Sequence, residues 1–317
     1  MFLNELMQVI PYTEIVNRSG LSADRLQVKL LCSDSRKADA DSIFVCISGT
    51  LSDGHDYAAA AYARGCRIFV TEHKTELPDD AFVVITGDTR IALARLSAAF
   101  FGNPAEEMTV IGVTGTKGKT TSSLMIYHAL NNSGIPTGYI GSNGIYFGDS
   151  YFPTVNTTPE SYDLHYYMRK MLDEGVRTLV MEVSSQALKM ARVHGIRFRI
   201  CVFTNLSPDH IGEYEHPDFN DYKNCKHTLF TDYGAEYIVY NADDEYAAEM
   251  ISGNRCEKAG ISLHNRESSF FADEIAFFRS PGSIGVSFRC CNGDRVFPAS
   301  VAFPGEFSVY NALTALA

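Results

Sequence analysis

Short β-branched runs alternate with helix-patterned stretches along most of the chain, and a glycine-rich loop sits between one such run and a helix. These observations predict an α/β protein. The expected architecture is a small α/β domain followed by a phosphate-loop domain with a mainly parallel central sheet and a small β-rich extension. A length of 317 residues suits two domains.

The first domain is read from residues 28–32 (VKLLC), 43–47 (IFVCI), 67–71 (RIFVT) and 82–86 (FVVIT), which carry strand patterning. Between them, residues 53–65 (DGHDYAAAAYARG) read as a helix closed by Gly65, and a second helix is expected from about Asp88 to Gly102. The turn-rich GNPAEE at 102–107 marks a boundary, giving domains at 1–103 and 104–317.

The second domain opens with a strand at 108–113 (MTVIGV), the glycine-rich loop, and a helix at 119–131. Strands follow at 177–183, 199–205 and 236–240, with helices at 159–174 and 218–230. Buried runs separated by helices argue for parallel pairing. Residues 269–303 turn β-rich, with a hairpin turn expected at Asn292-Gly293. A last helix starts near Ser308 and the chain stops at Ala317 inside an apolar pattern, which predicts the front part of a longer protein.

Composition bounds the function. Residues are 45% hydrophobic and 21% charged, as in a soluble globular chain. No apolar run is long enough to span a membrane, and the N-terminus lacks the basic start of a signal peptide. A formal net charge of −11 disfavours nucleic-acid binding. The eight cysteines form no C-x-x-C pair, so they are expected as buried reduced thiols in a cytoplasmic protein rather than zinc ligands.

The loop IGVTGTKGKTTSSL (111–124) departs from the strict G-x-x-x-x-G-K-[ST] pattern, because the first glycine would fall at Val113. Its context still suits phosphate: glycines admit close backbone approach, and a helix start offers free N–H groups and a positive dipole end. Lys119 can reach outer phosphates and Thr120 can offer a hydroxyl to Mg²⁺. Ligands of open α/β sheets bind at the carboxyl ends of strands. Two other strands end in MEVSSQAL, with Glu182, and in TNLSPDHIGEYEHP, with Asn205, Asp209 and His210. An acid and a histidine beside a phosphate loop suit metal handling.

In order, the segments GVTGTKGKTTSS, NTTPES, MEVSSQAL, TNLSPDHIG, DYKNCKHTLF and YNALTALA resemble the Mur ligase family, in the branch that adds the third residue to UDP-N-acetylmuramoyl-dipeptide. SDSR (33–36) and DGHDYA (53–58) resemble the same branch, and the match covers nearly the whole chain. In that family the loop reads G-T-x-G-K-T-[TS], so no glycine is expected at 113. Lys117 departs from the more usual Asn.

The resemblance implies an ATP-dependent acid–amino-acid ligase of peptidoglycan synthesis. The terminal carboxylate of UDP-MurNAc-L-Ala-D-Glu would be phosphorylated by ATP, and the amine of an amino acid would then displace phosphate. It also implies roles. ATP would be held by Gly115, Thr116, Lys117, Gly118, Lys119, Thr120, Thr121 and Asn311. Ser35 would contact the uridine end in an N-terminal UDP-MurNAc-binding domain. Thr157, Thr158, Ser184 and Arg192 would contact the muramoyl-peptide part. Two Mg²⁺ sites are implied, one on Thr120 and Glu182, the other supported by His210 and Lys226 as N6-carboxylysine. The catalytic set is Lys119, Glu182, His210 and Lys226. The family's C-terminal amino-acid-binding domain is absent from the chain, and DHIGEYEHP looks more like lysine-adding than diaminopimelate-adding relatives. The protein is expected to be a cytoplasmic monomer, with no nucleic-acid or membrane partner. Alternatives are another Mur-like or folylpolyglutamate-type ligase, or a non-catalytic nucleotide-binding module. Folylpolyglutamate synthetases share the central ATPase fold but would not bring a first domain with SDSR.

Overall fold

The computed structural model describes residues 1–49, 52–213, 215–280 and 282–317. The chain forms two compact units. One comprises Met1–Pro104, Glu160–Lys170 and Met190–Gly195; the other comprises Ala105–Pro159, Met171–Lys189 and Ile196–Ala317. The units therefore do not follow a single cut in the chain, because two short segments from the second half fold with the first.

The first unit runs α1 (Leu3–Met7), β1 (Tyr12–Asn17), β2 (Leu30–Cys32), β3 (Ser42–Val45), α2 (Ala58–Ala63), β4 (Ile68–Thr71), β5 (Phe82–Thr86) and α3 (Thr89–Phe100). Its sheet has the order β1-β5-β4-β3-β2. β2 to β5 are parallel and β1 joins β5 antiparallel. The four strands read from β-branched patterning are present. β1 escaped that reading, because its YTEIVN is polar and mostly exposed, as suits an edge. The segment at 53–65 is a 3-10 turn at Gly54–Tyr57 followed by the shorter α2. Asp53 caps the 3-10 turn, accepting from the His55 N–H at 2.9 Å. Asp88 caps α3, accepting from the N–H groups of Arg90 and Ile91 at 2.8 and 2.9 Å.

The second unit holds β6 (Thr109–Thr114), α4 (Lys119–Asn132), β7 (Thr137–Gly141), β8 (Gly144–Phe147) and β9 (Ser150–Phe152). After them come α5 (Ser161–Asp173), which belongs to the first unit as far as Lys170, then β10 (Thr178–Glu182), α6 (Ser185–Lys189), β11 (Ile200–Phe203) and α7 (Phe219–Thr231). The chain continues through β12 (Tyr237–Asn241), α8 (Ala247–Met250), β13 (Glu257–Ser262), β14 (Phe270–Ser280), β15 (Ser283–Asn292), β16 (Arg295–Val301) and α9 (Glu306–Leu316). An 11-stranded sheet has the order β16-β15-β14-β13-β12-β11-β6-β10-β7-β8-β9. From β14 to β7 neighbouring strands are parallel; the hairpins β7–β9 and β14–β16 are antiparallel. The sheet is thus mainly parallel, as its buried runs predict.

One turn corrects the sequence reading. Asn292 pairs with Arg295 across the β15–β16 hairpin, so the central pair is Gly293-Asp294, not Asn292-Gly293. Gly293 has φ +54, which places glycine at the first central position.

The core of the second unit joins Val113, Val180, Val202 and Val239 of the sheet to Ile126 of α4 and Val309 and Leu313 of α9. Each of these fully buried aliphatic side chains contributes roughly 1.5–3 kcal/mol through burial. All eight cysteines are free thiols. Among the described residues, no helix is long and apolar enough to cross a membrane.

Candidate functional site

In the second unit β6 lies between β10 and β11, although the chain goes from β6 outward to β7 before returning to β10 and then crossing to β11. The strand order therefore reverses at β6, and its carboxyl end is where an open α/β sheet leaves a crevice. Three segments meet there: the loop after β6, Glu182 closing β10, and Thr204–Asn205 after β11.

The loop is shaped by its neighbours. Asn205 grips Lys117 from both sides: its Oδ1 accepts from the Lys117 N–H and its Nδ2 donates to the Lys117 carbonyl, each at 2.9 Å. The Thr204 hydroxyl donates to the same carbonyl at 2.7 Å. Thr116 is tied to Ser207, whose N–H donates to its hydroxyl at 2.9 Å. Gly118 precedes α4 with φ +82, a conformation that costs any other residue about 1–2 kcal/mol. A Cβ there would lie 2.9 Å from Asn311 Oδ1, which accepts from the Ser122 hydroxyl at 3.0 Å. Asn311 is thereby brought to the loop from α9, while Thr121 stands in the first turn of α4.

Glu182 is fully buried. Its Oε1 accepts from the Tyr139 hydroxyl at 2.6 Å and the Ser142 N–H at 2.9 Å. Its Oε2 accepts from the Thr120 hydroxyl at 2.9 Å and the Ser142 hydroxyl at 3.4 Å. These donors are all neutral. A buried carboxylate with neutral donors is favoured by a nearby cation. Lys119 feels its charge, although burial dominates and lowers the Lys119 pKa. Carboxylate and hydroxyl oxygens are the donors a Mg²⁺ ion takes, so Glu182 and Thr120 fit that ion. Thr158 donates to the Glu182 carbonyl at 2.8 Å, and its hydroxyl accepts from the Ser184 N–H at 3.1 Å. Thr157 is 2.9 Å from the Ser142 hydroxyl. The residues expected to touch the muramoyl-peptide part in this unit therefore adjoin the Glu182 network.

Two lysines converge on the loop. The Lys119 ammonium donates to the Gly115 and Thr116 carbonyls at 2.8 and 3.0 Å, and Lys226 donates to the Gly115 carbonyl at 2.9 Å. Lys226 is buried at 1% exposure. Burial, reinforced by the Lys119 charge, holds its pKa well below the ordinary lysine value, while Asp209 works the other way. Lys226 lies over the Tyr222 ring, 4.7 Å from its centroid, and the His210 ring centroid is 6.0 Å from the same ring. His210 itself is exposed, has φ +54 and pairs with Glu215 at 2.9 Å.

A Ser–His–Asp chain lies nearby. His216 Nδ1 is 2.6 Å from Asp221 and its Nε2 is 2.9 Å from the Ser185 hydroxyl. Ser185 is 3% exposed and His216 0%, so no substrate carbonyl reaches the hydroxyl. The chain is a strut joining α6 and α7 to the loop after β11. Asp221 also pairs with Lys189 at 2.8 Å, the main cause of its lowered pKa.

In the first unit a cavity of about 620 Å³ opens at the carboxyl ends of β2 and β3. Its lining includes Ser35, Arg36, Gly49, Tyr57, Arg90 and Glu160. Ser35 is thus placed on a ligand-sized space. Arg192 belongs to this unit too, paired with Glu160 at 2.7 Å. His55 follows Gly54 of the lining: its Nε2 accepts from the Glu72 N–H at 2.9 Å, which fixes the proton on Nδ1, facing Asp53 at 2.6 Å.

Two family models cover the chain, the Mur ligase family catalytic domain at residues 27–109 and the Mur ligase middle domain at residues 113–317. A UDP-N-acetylmuramoyl-L-alanyl-D-glutamate–2,6-diaminopimelate ligase of Clostridium perfringens is 36% identical over 317 residues, 99% of this chain.

The chain belongs to the Mur ligase family.

An enzyme of the same description from Bacillus velezensis is 39% identical over 291 residues, 90% of the chain. The chain spans 63% and 58% of the lengths of these two relatives. Among solved structures, a ligase of that description matches this Mur ligase chain with a TM-score of 0.82 at 22% identity, covering all of it and 62% of the other. A folylpolyglutamate synthetase bound to AMPPCP and folate matches only 71% of the chain, and 60% of its own, at a TM-score of 0.58 and 15% identity. These structures share the fold.

Tyr139, Ser142, Thr204 and Arg90 escaped the sequence reading as site residues. Tyr139 reads as one more β-core aromatic, and Arg90 as an ordinary helix charge. The positions of Thr204 and Asn205 at a strand end carried the available signal.

Proposed function

We propose that this chain is the nucleotide-binding and carboxylate-activating part of an ATP-dependent ligase of peptidoglycan precursor synthesis. Its substrate is UDP-MurNAc-L-Ala-D-Glu, and the residue added is diaminopimelate. The observation that carries this reading is the convergence of the phosphate loop, buried Glu182 and buried Lys226 on one sheet end, in a chain 36% identical to a ligase of that name. The relatives' names move the acceptor from lysine, suggested by DHIGEYEHP, to diaminopimelate.

In this reading the N–H groups at the start of α4 and the Lys119 ammonium bind the phosphates of ATP. Lys119 exchanges its bonds to the Gly115 and Thr116 carbonyls for phosphate oxygens. Asn205 and Thr204 keep the loop backbone open, and Asn311 reaches the adenine. Thr157, Thr158 and Ser184 orient the peptide end, while Ser35 and Arg192 serve the uridine and muramoyl ends. Glu182 and Thr120 hold one Mg²⁺; His210 and Lys226, as N6-carboxylysine, support a second. Bound there, Mg²⁺ offsets the repulsion between the carboxylate and the triphosphate. The substrate carboxylate attacks the γ-phosphorus, giving an acyl phosphate and ADP. The buried, weakly basic Lys226 amine suits reaction with CO₂, since a neutral amine is the nucleophile. The protein acts in the cytoplasm, as a monomer.

Positional isotope exchange tests the reading without an amino-acid acceptor. ATP labelled with ¹⁸O in the β–γ bridge is incubated with Mg²⁺ and UDP-MurNAc-dipeptide. Reversible acyl phosphate formation scrambles the label, and no scrambling is expected without the dipeptide nucleotide. Tight binding of both nucleotides with no exchange would favour the non-catalytic module instead.

A further inference from the structure

Glu182 is held unevenly. The two donors to Oε1 are rigid: a phenol whose ring is fully buried, and a backbone N–H. The two donors to Oε2, from Thr120 and Ser142, are hydroxyls that rotate. One oxygen is therefore anchored and the other is served by groups able to turn away or share it.

The anchor is built into the sheet. β7 pairs with β10 in parallel, with Tyr139 opposite Val180. Side chains two apart on a strand share a face, so Tyr139 and Glu182 stand on the same face, one step apart along the strands. The phenol must reach forward past residue 141 to meet the carboxylate. That position is Gly141, where a Cβ would collide with both Glu182 Oε1 and the Tyr139 hydroxyl. The absent side chain makes the space in which the two groups meet. The Tyr139 ring is fixed in turn by Tyr127 and Tyr146, at centroid distances of 6.2 and 5.6 Å.

We propose that Tyr139 is a positioning residue that locks Glu182 through Oε1 and so presents Oε2, beside the Thr120 hydroxyl, as the oxygen for the divalent cation. The inference rests on the reading of Glu182 and Thr120 as the Mg²⁺ pair. A group that orients a metal ligand typically alters metal affinity by about 10–100-fold when removed.

The test is Tyr139→Phe, which keeps the ring and deletes the hydroxyl. ATP binding to the full chain is measured by calorimetry across a Mg²⁺ titration and in EDTA, with Mn²⁺ paramagnetic resonance as a direct readout of the ion. The Mg²⁺ concentration for half-maximal enhancement of ATP binding is expected to rise about 10-fold or more, with binding in EDTA unchanged. A structural role alone would lower the melting temperature without moving the Mg²⁺ midpoint. If Tyr139→Phe melts lower, the titration is run at a temperature where it is folded. Equal Mg²⁺ midpoints and equal Mn²⁺ spectra for parent and Tyr139→Phe would overturn the proposal. Absence of any Mg²⁺ dependence in the parent would instead remove the reading it rests on.

Discussion

Two amines compete for one carbonyl oxygen at the centre of the site. Lys119 and Lys226 both donate to Gly115 O, at 2.8 and 2.9 Å, and burial lowers the pKa of each. Phosphate changes this balance by giving Lys119 an anion, which favours its charged form. ATP binding should therefore weaken as pH rises through the lowered Lys119 pKa, with proton uptake in that pH range. Calorimetry in two buffers of different ionisation enthalpy measures the uptake. Lys119→Ala should abolish it and weaken ATP binding roughly 10- to 100-fold, the loss of a charge-assisted hydrogen bond. Unchanged affinity would show that the backbone N–H groups alone hold the phosphates. Lys117 differs: its backbone is clamped by Asn205 and Thr204, but its side chain is exposed, and no described contact explains why lysine stands there.

Among the elements, the helix that the two units share along the chain carries a buried histidine. His165 of α5 is 1% exposed, and neither ring nitrogen has a hydrogen-bond partner among the described residues. Burial lowers its pKa from 6.5 to about 4. The unfolded state therefore binds a proton at higher pH than the folded state does. Stability from this group is full above pH 6.5 and is lost as pH falls toward about 4. The loss is roughly 2–3 kcal/mol. Urea midpoints at pH 7 and pH 5 should diverge for the parent and diverge less for His165→Leu, since His194 and His216 also have lowered pKa values; equal divergence would place the acid sensitivity elsewhere. Such a residue also shows what sequence reading reaches. The parallel strands β2–β6 and β10–β12 were legible because each is a nearly unbroken apolar run, and the loop and Glu182 because strand ends hold ligands. The hairpin β7–β9 was not, since GYIGSNGIYFGDSYF mixes glycines and aromatics without clean alternation. Tyr139 was hidden with it, because only the register against β10 shows that it faces Glu182. β13 was missed because EKAGIS opens with charge and is short of β-branched residues.

Across the whole molecule, the division into units does not follow the chain. A cut near residue 104 looks natural in sequence, yet Glu160–Lys170 and Met190–Gly195 belong to the first unit. Tyr162 of α5 packs on its core, with its ring 5.1 Å from Phe101 and 6.5 Å from Phe100. Glu160 lines the cavity that holds Ser35 and pairs with Arg192. The first unit is therefore assembled from three chain segments. A fragment of residues 1–104 keeps the five strands but loses the cover over Phe100 and Phe101 and one wall of the cavity. Exposing such aromatics costs about 1.5–3 kcal/mol each, a large share of a small domain's marginal stability. The fragment is expected to bind a hydrophobic dye, show weakened near-ultraviolet circular dichroism, and bind UDP-MurNAc-dipeptide at least ~10-fold more weakly than the full chain. A well-packed fragment with the full chain's affinity would show that residues 1–104 make the site unaided.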